Sequence, residues 1–222
     1  MTPLAAVWLG RVGYAAAVEL QERLRRRILD GDRGAETLLL VEHDAVITLG
    51  RGARAEHVLA SPSELRARGV AVERSSRGGD VTYHGPGQLV AYPVMRLERG
   101  VVAHVEAMAA ACIDVAASLG VRARFRRECP GVWVGDDKLA AFGVHVHRRV
   151  AAHGVALNVS TALDAFDLIV PCGLKNTRAT SLAALTGRAL APADLAPPFA
   201  DAFARAAGRA IPPLLSRSLP VE

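Results

Sequence analysis

Three short runs in this 222-residue chain carry side chains able to do chemistry. Cys172 stands in Ile169-Val170-Pro171-Cys172-Gly173-Leu174, and Lys138 in Asp136-Asp137-Lys138-Leu139-Ala140-Ala141-Phe142-Gly143. The third is Arg77-Gly78-Gly79-Asp80-Val81-Thr82-Tyr83-His84-Gly85-Pro86-Gly87-Gln88. A thiol is nucleophilic only as the thiolate, and an ammonium nearby lowers its ordinary pKa of about 8.5. A lysine in a partly desolvated pocket can in turn accept a proton near neutrality. As a pair the two can pass one proton back and forth, Lys138 serving as base for Cys172 and then as acid for a leaving thiol. The chemistry such a pair supports is acyl transfer through a thioester. Spacing alone does not bring them together. Taken singly, a cysteine is most often a packed core residue and a lysine a solvated one.

The glycine-rich run has four glycines within ten residues, between two strand candidates. Glycine admits backbone angles and close approaches that a side chain forbids, and Pro86 stiffens the second turn. A pair of tight turns would account for the glycines. The crowding of Arg77, Thr82, Tyr83, His84 and Gln88 into the same loop points instead to a wall against a substrate. The run lacks the terminal Gly-Lys-Ser/Thr of a phosphate cradle. Gly50-Arg51-Gly52-Ala53-Arg54-Ala55 fits a dinucleotide fingerprint by letter, but Ser61-Pro62 breaks the helix such a fold needs next. His145 and His147 alternate along one strand, with His153 following; no further ligand set completes a metal site, and structural histidines are the simpler reading. Cys112 lies mid-helix and reads as packed; Cys129 sits in a turn.

The elements that must position these residues follow from periodicity. A strand is expected over residues 8–12, after a weakly structured start. Ala17, Leu20, Leu24 and Ile28 give a helix over 14–29, stopped by Gly31-Asp32-Arg33-Gly34. Residues 37–41 and 45–49 read as buried strand. Ser61-Pro62 opens a helix that ends at Gly69. Strands follow over 70–73 and 88–94, then an alanine-rich helix over 101–119. Alternating or valine-rich strands occupy 121–127, 132–134, 139–147 and 150–159, and a helix spans 192–209 before an irregular end. Strands mixed with helices, without strict alternation, predict an α/β protein with an α+β-type mixed sheet flanked by helices. The expected organisation is one catalytic domain over 1–222, with a small helical extension over 191–222.

Hydrophobic residues make up 51% and charged residues 22% of the chain, ordinary values for a globular protein. Three widely spaced cysteines make no disulfide framework, which favours a reducing, cytoplasmic setting. No run of eighteen apolar residues suggests a membrane span, and the first residues carry no basic region of a signal peptide. The net charge of +5 favours acidic partners.

At its chemical residues the chain resembles the lipoyl(octanoyl) transferases. The resemblance rests on residues 77–88, 131–143, the run His153-Gly154-Val155-Ala156-Leu157-Asn158-Val159, and Pro171-Cys172-Gly173-Leu174 with Thr180-Ser181-Leu182, in that order. It departs from the family at Asp44, where proline is common, and at Leu174, where isoleucine is usual. The resemblance implies the biotin/lipoate protein ligase fold and transfer of octanoyl from acyl carrier protein to one lysine of a lipoyl domain. It implies Cys172 as the thioester nucleophile and Lys138 as its acid/base partner. Arg77, Gly78, Gly79, Asp80, Val81, Thr82, Tyr83 and His84 would form one wall of the acyl site. Ala141, Phe142 and Gly143, and Gly154, Val155 and Ala156, would form the other two. No ATP or metal is implied. Acceptors would be the lipoyl domains of 2-oxoacid dehydrogenase E2 subunits and the glycine cleavage H protein, with no nucleic acid or membrane partner and a monomeric enzyme. Three competing readings stay open: an ATP-dependent lipoate ligase of the same fold, a basic nucleic-acid-binding module without stacking aromatics, and a cysteine hydrolase sharing the acyl-enzyme.

Overall fold

A computed structural model describes residues 4–170, 178–210 and 213–216. Cys172 and its neighbours from Pro171 to Thr177 lie outside the described residues. Eleven strands are described: β1 (Ala5–Val12), β2 (Thr37–His43), β3 (Val46–Leu49), β4 (Ala71–Arg74), β5 (Val81–His84), β6 (Gln88–Arg96), β7 (Arg124–Arg126), β8 (Gly131–Val134), β9 (Asp137–His147), β10 (Val150–Asn158) and β11 (Leu215–Ser216). The helices are α1 (Tyr14–Leu29), α2 (Pro62–Ala67), α3 (Gly100–Ser118), α4 (Leu182–Thr186) and α5 (Pro192–Ala207). Eight strands form one mixed sheet in the order β11-β1-β2-β6-β10-β9-β8-β7, and β4-β3-β5 form a second, small sheet.

Alternation along the central strands feeds two cores. Leu39, Val41, Val90, Tyr92 and Val94 face α1, while Leu38, Leu40, Leu89, Ala91 and Met95 face α3 and α5. This is the two-residue period of a sheet covered on both sides. Over residues 14–29 the expected helix coincides with α1, whose last turn carries Arg26 and Arg27 against the negative end of its dipole. α3 is 19 residues long with a mean hydropathy of 1.5, enough by length to span a membrane. It is instead a core helix, with Met108, Ala111, Cys112 and Val115 buried under the sheet and α5. α5 continues through Pro197 and Pro198 because Leu195, Phe199 and Phe203 bury against that same core. Gly208, at a φ of 66°, closes it.

The structure corrects the periodic reading in several places, β5 and α4 being elements that reading did not have. β1 begins at Ala5, since Ala5 to Trp8 pair in parallel with Thr37 to Leu40. Residues 37–41 and 45–49 enter different sheets: β3 leaves the large sheet to pair with β4 and β5. Of residues 121–127 only Arg124–Arg126 is strand, an edge pairing on one side alone. Leu215 and Ser216, expected to be irregular, pair in parallel with Val7 and Trp8. Apart from α4 and from β7, which pairs with its hairpin neighbour β8, these differences are long-range pairings, which periodicity does not carry.

Candidate active site

Lys138 is the second residue of β9 and is 7% exposed. A two-residue turn, with Gly135 at a φ of 56°, joins β8 to β9 and sets Trp133 opposite Lys138. The Lys138 ammonium sits 4.8 Å from the centre of the Trp133 ring, a cation–π contact that holds its direction. Gly131 makes this possible: a Cβ there would lie 3.0 Å from Lys138 Cε and 2.9 Å from Trp133 Nε1. The Lys138 N–H donates to the Arg178 carbonyl (2.8 Å), and the Thr180 N–H donates to the Lys138 carbonyl (2.9 Å). The described chain therefore resumes, after residue 177, directly on the Lys138 backbone. It leaves at Val170, whose N–H donates to the His57 carbonyl at 2.8 Å.

A cavity of about 400 Å³ opens beside Lys138, lined among others by Thr82, Ala140, Ala141, Ala156, Phe166 and Arg178. It shares Thr82, Ala141 and Ala156 with a second hollow of about 470 Å³ that reaches Tyr14, Arg77, His84, Tyr92 and His153. Small residues floor this trough: the cross-strand pair Ala141–Ala156, common to both hollows, and the next pair Gly143–Gly154, in the second, on β9 and β10. At Gly143 a Cβ would lie 2.8 Å from Arg77 Cδ. At Gly154 a Cβ would also collide with the Ala91 carbonyl of β6, so the backbone approach itself demands glycine. The preceding residue, His153, takes a φ of 58° and turns its N–H away from β6 to the Gln21 side chain of α1 (2.7 Å).

Of the three walls expected from sequence, the structure brings Arg77, Gly79, Asp80, Thr82 and His84 to the trough, with residues 141–143 and 154–156. Val81 and Tyr83 do not face it. Alternation turns them into the core of the small sheet with Ile47 and Leu168. Gly78 donates its N–H to the Val144 carbonyl (3.1 Å) and so fastens the loop to β9. The side chains of Phe142 and Val155 belong to the α3/α5 core, which leaves their backbone toward the trough. Arg77 is 6% exposed. Its guanidinium donates to the Thr48 hydroxyl (3.0 and 2.9 Å), the Thr48 carbonyl (2.6 Å) and the Gly78 carbonyl (3.1 Å). The His57 Nδ1 lies 2.5 Å from Asp80 Oδ2.

Residues that periodicity read only as core or helix also gather here. Tyr14 stacks on His84 with ring centres 6.0 Å apart and its hydroxyl lies 2.7 Å from that of Ser75. His43 Nε2 and the Tyr92 hydroxyl are 2.8 Å apart. Burial, reinforced by neighbouring positive groups, pushes His84 down to about 3 and His153 to about 3; burial alone outweighs a backbone hydrogen bond in pushing His43 to about 4. All three are neutral near pH 7, hydrogen-bonding groups rather than charges. The one available signal was polar residues at positions of an apolar strand face, His43 and Tyr92 in β2 and β6. His145 faces Arg25 (3.1 Å) and His153 faces Ser76 (2.9 Å). Among the described residues no three His, Cys, Asp or Glu side chains gather as metal ligands. Burial pushes the Cys112 thiol up, away from reactivity.

Residues 13–204 match the lipoyl protein ligase A/B catalytic domain. An octanoyltransferase of Solibacter usitatus is 50% identical over 184 residues, covering 82% of this chain and 83% of its own. One of Chloroflexus aggregans is 46% identical over 202 residues, covering 88% and 91%. A crystal structure of lipoate-protein ligase A bound with ATP superposes with a TM-score of 0.77 at 16% identity, over 98% of this chain and 88% of that one. That likeness shows the expected mixed-sheet ligase fold. At such identity over most of both chains, the protein belongs to the octanoyltransferase family, an acyltransferase built on the lipoyl protein ligase A/B catalytic domain.

Proposed function

We propose that this enzyme carries an octanoyl group from the thioester of an acyl carrier protein to a lysine of a lipoyl domain, through a thioester on Cys172. The observation that carries the reading is the seat of Lys138: buried, aimed by Trp133, at the head of a trough of small residues, and bonded by its backbone to the segment that follows Cys172. Lys138 amine takes the Cys172 proton. The thiolate attacks the donor carbonyl, the carrier thiolate leaves, and the Lys138 ammonium protonates it. In the second half the acceptor amine attacks the acyl-enzyme and gives up a proton to Lys138, the Cys172 thiolate leaves as the amide forms, and the Lys138 ammonium returns the proton to it. Thioester-for-thioester exchange is close to thermoneutral and amide formation is downhill, so neither ATP nor a metal is needed. The acyl chain lies along the Ala141–Ala156 and Gly143–Gly154 trough, where each buried methylene contributes about 0.8 kcal/mol.

Arg178 at the mouth, its side chain 83% exposed, suits an acidic carrier. Acceptors are lipoyl domains such as those of 2-oxoacid dehydrogenase E2 subunits and the glycine cleavage H protein. A free catalytic thiol suits the reducing cytoplasm. Intact mass after incubation with octanoyl-acyl carrier protein, without ATP, tests the reading. One octanoyl adduct, labile to hydroxylamine and absent from Cys172→Ala, is expected. An adduct-free enzyme that needs ATP and free octanoate would make it a ligase, and adduct turnover at the same rate without acceptor would make it a hydrolase.

A further inference from the structure

Two buried amides, Gln88 and Asn158, line the Lys138 cavity but take no proton or bond in the steps above. Gln88 opens β6 and Asn158 ends β10; they face each other in register, 1% and 4% exposed. Gln88 Nε2 donates to Asn158 Oδ1 (2.9 Å) and to the Tyr83 carbonyl (3.3 Å). Asn158 Nδ2 donates to the Thr180 carbonyl (3.0 Å), and Gln88 Oε1 lies 2.7 Å from His84 Nδ1. Thr180 in turn donates its N–H to the Lys138 carbonyl at 2.9 Å, while Lys138 donates its own to Arg178 at 2.8 Å. The direction of the relay is set at its ends. A backbone carbonyl only accepts, so Thr180 draws the amide nitrogen of Asn158 and leaves Oδ1 for Gln88. Gln88 then turns Oε1 to His84, whose Nδ1 must carry the hydrogen. A fully satisfied buried network of this kind specifies one geometry, and losing one partner strands the rest.

We propose that Gln88 and Asn158 are positioning residues for Lys138: through Thr180 they hold the chain that clamps its backbone, and at the far end they hold His84 as the Nδ1–H tautomer. The inference rests on Lys138 being the acid/base of the reaction. It is tested on the full-length enzyme with Asn158→Ala, Asn158→Asp and Lys138→Ala, alongside wild type. Two quantities are read: the pH dependence of Cys172 alkylation by iodoacetamide, assigned by peptide mass, and kcat and KM for octanoyl-acyl carrier protein. The Asp variant accepts from Gln88 as asparagine does but, ionised, cannot donate to Thr180.

Both Asn158 variants are expected to move the alkylation midpoint toward that of Lys138→Ala and to lower kcat at least tenfold, with KM within twofold. Folded Asn158 variants with the wild-type profile and kcat would overturn the proposal. If Lys138→Ala itself alkylates like wild type, the acid/base reading of Lys138 fails, and the proposal falls with it for a separate reason. Should the variants not fold, ¹⁵N NMR of wild-type His84 decides: the Nδ1–H tautomer is expected, and Nε2–H would overturn the relay.

Discussion

The two faces of the large sheet are built by the same strands, and both carry an apolar core, but only one of them also buries a cluster of polar side chains. Toward α3 and α5 the strands present Leu38, Leu40, Leu89 and Ala91, met by Met108, Phe199 and Phe203. Two titratable side chains are buried there among the described residues, the Cys112 thiol and His104, whose Nε2 is buried without a hydrogen-bond partner. Toward α1 and the small sheet, β2, β6 and β10 present His43, Tyr92, His153 and Asn158, closed over by Tyr14, Arg77 and His84, nearly all hydrogen-bonded. The apolar face can be built from packing alone. The polar face must satisfy each donor and acceptor or lose a few kcal/mol per orphan. A chain keeps such a face only where the polar groups have work to do, and the trough runs along it.

Substitutions that touch one face should break one property. Phe203→Ala, fully buried in the dry core, is expected to cost about 3–5 kcal/mol of stability, measured by urea unfolding. Below its melting temperature the alkylation profile of Cys172 should stay that of wild type. Arg77→Met removes a buried guanidinium from Thr48 and Gly78 and should cost about 1.5–3 kcal/mol. Octanoyl transfer should fall further than that loss explains; equal losses would make Arg77 a structural residue only.

Acid separates the faces next. Burial holds His43 and His104 at about 4, and His84 and His153 at about 3, all below the ordinary 6.5. Below about pH 6.5 the unfolded chain takes up protons that the folded one refuses. Stability is therefore full above that pH and drains as pH falls toward 3–4, by up to about 1.4 kcal/mol per pH unit for each histidine. Unfolding midpoints between pH 7 and 5 should show it. His104→Leu should flatten the slope by one proton and leave turnover unchanged, since it relieves the lone orphan of the dry face. Smallest of all, Arg11→Ala breaks a pair with Glu42 in which the arginine side chain is 52% exposed. It should cost under about 1 kcal/mol, and less in high salt.

Much of this frame is written locally. The period of residues 14–29 delivers α1, and the run 88–94 delivers most of β6, because each element's burial pattern repeats within its own length. Lys138 and Trp133 meet across a two-residue turn, a contact within reach of a sequence reading that nonetheless took 132–134 only as strand. The motif residues 77–84, 141–143 and 154–156 were legible as glycine-rich, polar or small runs. Which of them face the trough was not: Val81 and Tyr83 turn away because β5 has a second sheet to build.

By itself, then, the sequence determined most of the element types, the family and the chemically able residues, since spacing and side-chain identity are properties of short stretches. Only the tertiary structure decided which face of each strand is dry, how Arg77 reaches Thr48 and how Thr180 comes to lie on Lys138. It also decided that His43, His84 and His153 stay neutral, because desolvation and pairing depend on groups tens of residues apart in the chain, brought side by side by the sheet.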